Sequence, residues 1–369
     1  MRWCFYSPGY RAVSVLAGDT RATGGAEAQI ANLADLLASR GHDVAIIYGG
    51  DQSVASERQI GRLRLIEAVP NWRRPSSLRS FWNTLRGLSP CAYYARLPDD
   101  FLYLLARAAH RGKGSRFIYS LANDRHCDPR TSCHYKAWFH APLFWLGLSL
   151  ADAIGVQHGG QVGLLPASLR ARARPIPNLI QCVTTLMRPF RAADIDVLWV
   201  ASIRPQKRLD ILLTLAEALP HLRFGLAGGF DSSIEPQQRT IFERRIAQTR
   251  SLIYFGPQDR SDVFSLLARS RVLLNTSDYE GFPNTMLEAW SVGVPVVSLH
   301  VDPGGVIQDQ GLGRVSRSEA NLRDDICSLA GNELLNVESG TRAYDYVRHS
   351  HEGDAVYRAL LAAAAAGER

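Results

Sequence analysis

Two glutamates stand in a short segment of the last third of the chain, residues 277–297, where their spacing suggests ligand chemistry. Glu280 lies in a polar loop, and Glu288 lies about one turn inside the helix predicted to follow. Because a carboxylate accepts hydrogen bonds from hydroxyl groups, Glu280 can bind a sugar and Glu288 can hold the diol of a ribose. Gly281, next to Glu280, allows the backbone to approach a ligand closely. The segment therefore indicates a site for a hydroxyl-rich ligand.

The start of the same helix, near Pro283 to Thr285, suggests a place for a diphosphate. Its free backbone N–H groups and the positive end of its dipole attract anions. A second interpretation is that Thr285 and Glu288 have the spacing of a capping box, in which Glu288 only satisfies the helix N-terminus. That interpretation leaves Glu280 and Gly281 unexplained, whereas one ligand explains the whole segment, so we favour a ligand site.

A glycine pair near the N-terminus, Gly24 and Gly25, follows the first predicted strand and precedes a predicted helix over residues 26–39. Without side chains, these residues let backbone amides approach a phosphate or a second substrate. An ordinary turn is the alternative. The position before a helix favours a binding role.

Short apolar runs alternate with longer amphipathic stretches along most of the chain, which is typical of strand-helix-strand units around a parallel sheet. In the first half we predict strands at 2–6, 44–48, 63–66, 92–95, 116–120 and 153–156, with helices at 26–39, 99–111 and 161–171. After the proline-containing segment 174–194, the alternation restarts with elements at 197–201, 209–219, 223–226, 237–248, 252–254, 263–268, 272–275, 285–292 and 294–298.

This organisation predicts two doubly wound α/β domains facing across a cleft. The N-terminal domain is expected over residues 1–180 and the C-terminal domain over 195–350. In open α/β sheets, ligands bind beyond the carboxyl ends of the strands. The loops after the strands are therefore where the chemistry is expected.

The run Glu280-Gly-Phe-Pro-Asn-Thr-Met-Leu-Glu-Ala289, followed by Gly293-Val-Pro-Val-Val297, resembles glycosyltransferase family 4. These are retaining enzymes with two Rossmann-like domains, known as the GT-B fold. The resemblance extends over most of the chain, including Gly24-Gly25-Ala-Glu27 and Asp302-Pro303. It implies transfer of a sugar from a nucleotide diphosphate-sugar, with an N-terminal acceptor domain, a C-terminal donor domain and a last helix, within 351–369, that crosses back to the first domain.

The resemblance also implies the roles of individual residues. Glu280 contacts the donor sugar and Glu288 the ribose, while Gly281 and the backbone around Phe282, Asn284 and Thr285 hold the diphosphate, and Gly24 and Gly25 lie near the donor.

Relatives place an arginine and a lysine after the first strand of the second domain. Lys207 matches the lysine, but Ser202 stands where an arginine is usual. Either Arg204 reaches in to replace that arginine, or the site tolerates one cation fewer. Fixed cations are needed because the departing nucleotide diphosphate accumulates negative charge, and together with a helix dipole they can stabilise it without a metal or a cofactor.

Many relatives carry a histidine near the reacting carbon, in the loop after the strand at 116–120. Here the loop contains Asn123, Asp124 and His126, and each is a candidate. We choose Asp124, with a polar loop as the alternative.

The net charge of +7 is uneven, because residues 1–180 carry 22 Lys and Arg against 12 Asp and Glu, a net charge of +10. A basic surface attracts nucleic acid, anionic lipid or phosphate-bearing substrates alike. No recognisable nucleic-acid motif coincides with it, so we expect no nucleic-acid partner. Six cysteines without a C-x-x-C pair, and no apparent signal peptide, favour a reducing compartment such as the cytoplasm. His126, Cys127, Cys133 and His134 fit no common zinc spacing.

Residues 71–86 mix arginines with aromatic residues, and Leu78, Phe81, Trp82 and Leu85 recur at helical spacing. Such a helix suits an anionic membrane surface, on the inner face of the membrane. In the alternative, the apolar stripe packs on the first domain's sheet. Relatives often glycosylate lipid-linked or cell-envelope acceptors, and the acceptor itself stays open.

Other functions fit the sequence less well. A nucleotide-sugar epimerase or a related binding protein without turnover remains the alternative, and Ser202 is the feature that favours lost turnover. A dehydrogenase would need G-x-G-x-x-G after a strand, and this sequence has no such motif. A pyridoxal phosphate-dependent phosphorylase usually has a much longer chain.

Overall fold

The computed structural model describes residues 1–18, 24–49, 56–68, 70–71, 73–128, 139–180 and 190–366. These residues form two compact units. The first unit comprises Met1–Leu179 together with Gly353–Arg369, and the second comprises Ile180–Glu352.

The first unit alternates strands and helices, as the hydrophobic pattern predicts. Its elements are β1 (Arg2–Ser7), α1 (Arg11–Leu16), α2 (Gly25–Ser39), β2 (Asp43–Tyr48), β3 (Ser56–Ile60), β4 (Leu63–Glu67), α3 (Pro75–Leu88), β5 (Ala92–Ala95), α4 (Leu102–Arg111), β6 (Arg116–Ser120), α5 (His140–Ser149), β7 (Ala153–Val156), α6 (Gly160–Leu164), α7 (Ala167–Arg170) and β8 (Ala173–Pro175). The helix predicted over 161–171 is two short helices, because Pro166 disfavours helical backbone at the residue before it.

Its eight strands form one sheet in the order β3-β4-β2-β1-β5-β6-β7-β8. All neighbouring strands are parallel except β3, which forms an antiparallel hairpin with β4. Helices α3, α4 and α5 pack on one face of the sheet. Helices α1 and α2 pack on the other. The sheet is therefore buried on both sides, which explains its apolar strands.

The amphipathic helix α3 packs its apolar stripe against this sheet. Phe81 and Leu85 are fully buried, and Leu78 and Trp82 pack against the same core. Of the two alternatives for residues 71–86, the structure shows the second, in which the apolar stripe packs on the sheet. This packing is favourable because it removes apolar surface of four large side chains from water. Trp72 lies outside the described residues.

The second unit repeats the alternation around a smaller sheet. Its elements are β9 (Ile195–Val200), α8 (Leu209–Ala218), β10 (Phe224–Ala227), α9 (Pro236–Gln248), β11 (Leu252–Gly256), α10 (Arg260–Ala268), β12 (Ser270–Asn275), α11 (Asn284–Trp290), β13 (Val296–Ser298), α12 (Val306–Asp309), β14 (Gly313–Val315), α13 (Glu319–Gly331) and α14 (Glu333–Ser350). The six strands are parallel, in the order β11-β10-β9-β12-β13-β14. Strands β9 and β12 are neighbours, so the loops that follow them leave the same edge of the sheet.

The last helix, α15 (Gly353–Ala365), belongs to the first unit. Its residues Val356, Leu360 and Ala363 are buried in the same core as α2. The crossing-back that the resemblance implied is therefore confirmed. No helix among the described residues is both long and apolar enough to span a membrane.

Candidate active site

The loops after β9 and β12 bring two of the predicted residues together. Lys207 ends a short 3-10 turn after β9, and Glu280 lies in the loop after β12. The Lys207 ammonium forms an ion pair and hydrogen bond with Glu280 Oε1. The two side chains are 19% and 14% exposed, so the pair is largely shielded from water but reachable. Residues 73 positions apart in the sequence thus form one charged pair at the carboxyl edge of the sheet.

A chain of hydrogen bonds fixes the turn after β9 against the loop after β12. Trp199 Nε1 donates to Thr276 Oγ1 at 2.9 Å, and Thr276 Oγ1 donates to the backbone oxygen of Lys207 at 2.6 Å. The backbone N–H of Asp278 donates to the backbone oxygen of Gln206 at 2.9 Å. The position of Lys207 is therefore set by buried groups rather than by its own flexible side chain.

Replacing Thr276 with valine tests this chain. Valine keeps the shape but leaves the Trp199 N–H and the Lys207 carbonyl without this partner, so we expect unfolding free energy to fall by about 1–3 kcal/mol. Urea denaturation measures the change. Thr240→Val is the control, because Thr240 makes a comparable hydroxyl-to-carbonyl bond on the exposed face of α9. Equal effects of the two changes would contradict a special role for Thr276.

Ser277 orients the carboxylate of Glu280. Its hydroxyl donates to Glu280 Oε1 at 2.9 Å, the same oxygen that binds Lys207. Two partners on one oxygen hold the carboxylate in a single orientation. Neither Ser277 nor Thr276 was among the site residues predicted from sequence, although both stand directly before the glutamate loop.

Glu288 lies inside α11, which begins at Asn284 with Pro283 as the preceding residue. Pro283 is the N-cap, and it supplies no side-chain hydrogen bond to this helix end. Thr285 is therefore a helical residue and not the N-cap, so the capping-box interpretation is wrong. The Glu288 carboxylate is 12% exposed, and Oε1 lies 3.4 Å from Arg260 Nε on α10.

Burial raises the pKa of Glu288 to about 7, and the Arg260 guanidinium opposes that rise. A carboxyl group that changes charge near neutrality is typical of functional sites, because burial there is tolerated for binding or catalysis. No sequence pattern points to Arg260, which precedes Glu288 by 28 positions and meets it only through the packing of α10 on α11.

The loop that joins Glu280 to α11 is anchored by an aromatic side chain. Phe282 is buried, and its ring centroid lies 6.0 Å from that of Trp290 and 5.0 Å from that of His351. Gly281 is buried beside it, while Asn284 and Thr285 are half-buried at the start of α11. The backbone expected to hold a diphosphate is thus fixed by packing of its own aromatic residue.

The other cation expected near the pair is engaged elsewhere. Arg204 Nε binds Asp231 Oδ2 at 3.1 Å, and Ser202 is exposed. Hydrogen bonds from Ser233 hold the pKa of Asp231 below its usual value, and Arg204 adds to this effect. In this structure Arg204 is therefore paired with a carboxylate, and Lys207 is the cation that meets Glu280.

Gly24 and Gly25 begin α2 in the first unit, where Gly24 is the N-cap. A Cβ atom on Gly24 would lie 2.5 Å from Glu27 Oε2. The Glu27 carboxylate thus already stands beside this helix end, where a phosphate was one expected ligand. Any anion there would have to displace that carboxylate or share the space with it.

Asp124 lies in a 3-10 helix after β6 (Asp124–Cys127). Its Oδ1 accepts hydrogen bonds from His158 Nε2 at 3.1 Å and from Gln161 Nε2 at 2.9 Å. Asn123 caps the same 3-10 helix by accepting from the backbone of Arg125.

His126, the third candidate of this loop, is held in its neutral form. Burial, with the nearby Arg96 guanidinium, lowers the pKa of His126 to about 4. Cys133 and His134 lie outside the described residues. In the part of the chain that is described, no group of three His, Cys, Asp or Glu side chains is placed to hold a metal ion.

Two family models match the chain. One, described as glycosyl transferase 4-like domain, matches residues 24–179, and the other, described as glycosyl transferases group 1, matches residues 194–332. The chain belongs to the glycosyltransferases. It is also 28% identical, over 186 residues, to one subunit of human phosphatidylinositol N-acetylglucosaminyltransferase. That alignment covers 47% of this chain and 37% of the relative's length.

Solved structures of other glycosyltransferases resemble this one along almost its whole length. Sucrose-phosphate synthase from Thermosynechococcus elongatus matches with a TM-score of 0.75 and 17% identity, covering 98% of this chain and 100% of that one. Anabaena HepE in complex with UDP-glucose matches with a TM-score of 0.71 and 14% identity, covering 98% and 99%. These similarities confirm the predicted fold class for this glycosyltransferase.

Proposed function

We propose that this glycosyltransferase transfers a sugar, with retention of its anomeric configuration, from a nucleotide diphosphate-sugar bound by the second unit. The observation that carries the proposal is the ion pair of Lys207 and Glu280 at the carboxyl edge of the second sheet. A cation and a carboxylate side by side match the two parts of such a donor, its diphosphate and its sugar hydroxyls. The resemblance to glycosyltransferase family 4 supports retention.

In the proposed reaction, the bond between the anomeric carbon and the diphosphate breaks, and its electron pair stays on the diphosphate. An acceptor hydroxyl oxygen forms the new bond to the anomeric carbon, and its proton passes to the departing diphosphate. Lys207 stabilises that developing charge, as fixed cations do in a shielded site. Glu280 holds the sugar hydroxyls in an orientation that Ser277 supports. In the ligand-free protein the two charges neutralise each other, and the donor exchanges this pairing for contacts of its own.

The ribose of the donor is assigned to Glu288, whose buried carboxylate accepts hydrogen bonds from a diol when it is ionised. UDP is the first nucleotide to examine, because the structurally similar HepE was solved with UDP and with UDP-glucose.

A panel of nucleoside diphosphates and their sugars, screened by thermal denaturation, tests the proposal. A ligand at one hundred times its dissociation constant stabilises a protein by about 2.7 kcal/mol, which gives a clear rise in Tm. We expect one nucleotide and its sugar to stand out. A panel without any stabilising member, including the UDP, GDP, ADP, CDP and dTDP series, would contradict a nucleotide-sugar donor.

The proposed reaction needs no divalent metal ion, because Lys207 and the polar loop perform the charge stabilisation that a metal supplies in other transferases. We expect full activity after exhaustive treatment with EDTA, measured as release of the nucleoside diphosphate. A metal-dependent transferase treated in the same way is the control. Loss of activity with the chelator, and its recovery with Mn²⁺ or Mg²⁺, would overturn this part of the proposal.

The proposed acceptor is lipid-linked or part of the cell envelope, and the first unit docks on an anionic membrane surface. The support is charge: helices α3 to α7 contain no Asp or Glu, but they carry Arg79, Arg86, Arg107, Arg111 and Arg170. Leu146 on α5, which packs beside α4, is 41% exposed and offers an apolar contact. Arginines together with an exposed apolar side chain are typical of surfaces that bind anionic lipid.

Co-sedimentation with vesicles of phosphatidylcholine, with and without phosphatidylserine, tests this docking. We expect binding only with the anionic lipid, and Arg79→Glu/Arg86→Glu should weaken it at least about tenfold, since each basic residue near the surface contributes about 1 kcal/mol. The control is Arg239→Glu/Arg244→Glu, the same charge change on exposed positions of α9 in the second unit. Binding that ignores lipid charge, or equal losses in both variants, would favour a soluble acceptor.

A further inference from the structure

Neither the motif nor the resemblance assigns a function to the pair formed by Arg260 and Glu288. We propose that Arg260 is a positioning residue for the donor site, which favours the ionised form of the Glu288 carboxylate and orients it toward the ribose. This inference rests on the proposed function, because it takes Glu288 as the group that binds the ribose diol. It makes donor binding depend on pH in a direction that can be measured.

The geometry places Arg260 where it can do this. It is the first residue of α10, it is 28% exposed, and its Nε lies 3.4 Å from Glu288 Oε1. Because the contact is made through Oε1, the second carboxylate oxygen can accept hydrogen bonds from hydroxyl groups. The Arg260 guanidinium also lies over the Phe264 ring, 5.6 Å from its centroid, which fixes the side chain against its own helix.

Within the described residues, the other elements packed against α11 bring no competing charge to Glu288. Helix α14 faces it with Ala343, Tyr346 and Val347, and strand β13 contributes apolar valines and a serine. Burial raises the pKa of Tyr346 to about 12, so this phenol stays neutral in the relevant pH range. Arg260 is therefore the charged group that favours the ionised form of Glu288, against the larger effect of burial.

The ionisation of Glu288 is poised near neutrality. Burial raises its pKa from 4.5 to about 7 despite the opposing effect of Arg260. The protonated form is favoured below that value, and a protonated carboxyl accepts fewer hydrogen bonds than a carboxylate. A ribose diol donates two hydrogen bonds, so donor binding should strengthen as the pH rises through about 7.

The stability of the protein without donor should depend on pH in the opposite direction. Because the pKa of Glu288 is higher in the folded than in the unfolded chain, this group favours the folded state below the unfolded pKa of 4.5, and that contribution is lost as the pH rises through about 7. Donor binding and intrinsic stability should therefore change in opposite directions over the same interval. A merely structural ion pair would not produce this combination.

The test is calorimetric titration of the protein with UDP between pH 5.5 and 8.5. We expect Arg260→Met to raise the pH at which binding becomes tight by about one unit, which weakens binding about fivefold at pH 7 and about tenfold near pH 5.5. Arg260→Lys should restore most of the wild-type profile, since it keeps the charge. Arg239→Met, on the exposed face of α9, is the control and should change nothing.

A double-mutant cycle separates positioning from a structural role. Glu288→Gln cannot ionise, so we expect weak UDP binding without the transition near pH 7, and no further loss when Arg260→Met is added. If the wild type binds UDP and Arg260→Met binds it with the same pH profile, the inference is overturned and the proposed function stays intact. If the wild type does not bind UDP but binds another nucleoside diphosphate of the panel, the same titration is carried out with that nucleotide, and the same outcomes decide. Absence of binding by every nucleotide would overturn the proposed function and this inference together.

Discussion

Replacing Lys207 with alanine is expected to lower kcat by about 10²–10³-fold, because the developing diphosphate charge loses its fixed cation. The loss corresponds to about 2.7–4 kcal/mol of barrier. Initial rates of nucleoside diphosphate release at saturating donor measure it. The fold should survive, since Lys207 is partly exposed and its turn is held by the hydrogen bond from the Thr276 hydroxyl to the Lys207 backbone oxygen.

Lys113→Ala is the matched control for this change. Lys113 is exposed between α4 and β6 of the first unit, so its loss alters the net charge equally. Circular dichroism should show both variants folded. A Lys207→Ala enzyme with wild-type turnover on the true donor and acceptor would remove Lys207 from the reaction and leave its ion pair with Glu280 a structural one.

Glu280→Gln is expected to reduce kcat by a similar factor, on the order of 10²-fold, while the protein remains folded. Glutamine keeps the size of the side chain but removes the charge that meets Lys207 and that accepts hydrogen bonds from the sugar. The expected pattern is a large loss in kcat with a smaller change in the affinity for UDP, because UDP lacks the transferred sugar that Glu280 contacts. Steady-state kinetics together with calorimetry of UDP separate the two.

Glu243→Gln serves as the control for Glu280→Gln. Glu243 is exposed on α9 and pairs with Arg239 at the helix surface, so its change should leave both kinetics and binding unaltered. Equal losses of kcat and of UDP affinity in Glu280→Gln would instead indicate that Glu280 supports the site as a whole and does not contact the sugar.

The buried strands of both sheets were predictable from sequence because parallel strands covered on both faces are continuous apolar runs. Strands β5, β6 and β7 have the predicted limits. Strand β3 was missed because it is a polar edge strand, Ser-Glu-Arg-Gln-Ile, whose central residues are exposed. Its antiparallel pairing with β4 depends on a turn that contains Gly61, not on hydrophobicity.

The hydrophobic pattern also failed to predict the elements at the end of the second unit, although one of them is a helix of 18 residues. Helix α14 spans Glu333–Ser350, and most of its residues are polar with a narrow buried stripe that includes Ala343 and Val347. A narrow stripe gives a weak periodic signal because only one row of side chains meets the core. The hydrophobic pattern therefore predicts no helix there.

The glutamate motif and Lys207 could be identified from sequence because their residue types match a ligand that has both hydroxyls and phosphates. What could not be predicted is how the neighbours are paired. Arg204 binds Asp231, and Arg260 meets Glu288, because of the way loops and helices pack after each strand. Such contacts join residues far apart in the chain and leave no spacing pattern to detect.

A crystal structure of the protein with UDP bound is the most direct measurement of where the donor binds. We expect the ribose hydroxyls within hydrogen-bond distance of the Glu288 carboxylate, about 2.5–3.0 Å between oxygens, and a diphosphate oxygen within reach of Lys207 Nζ. UDP bound with its ribose and diphosphate away from both residues, or bound only by the first unit, would contradict the donor site assigned here.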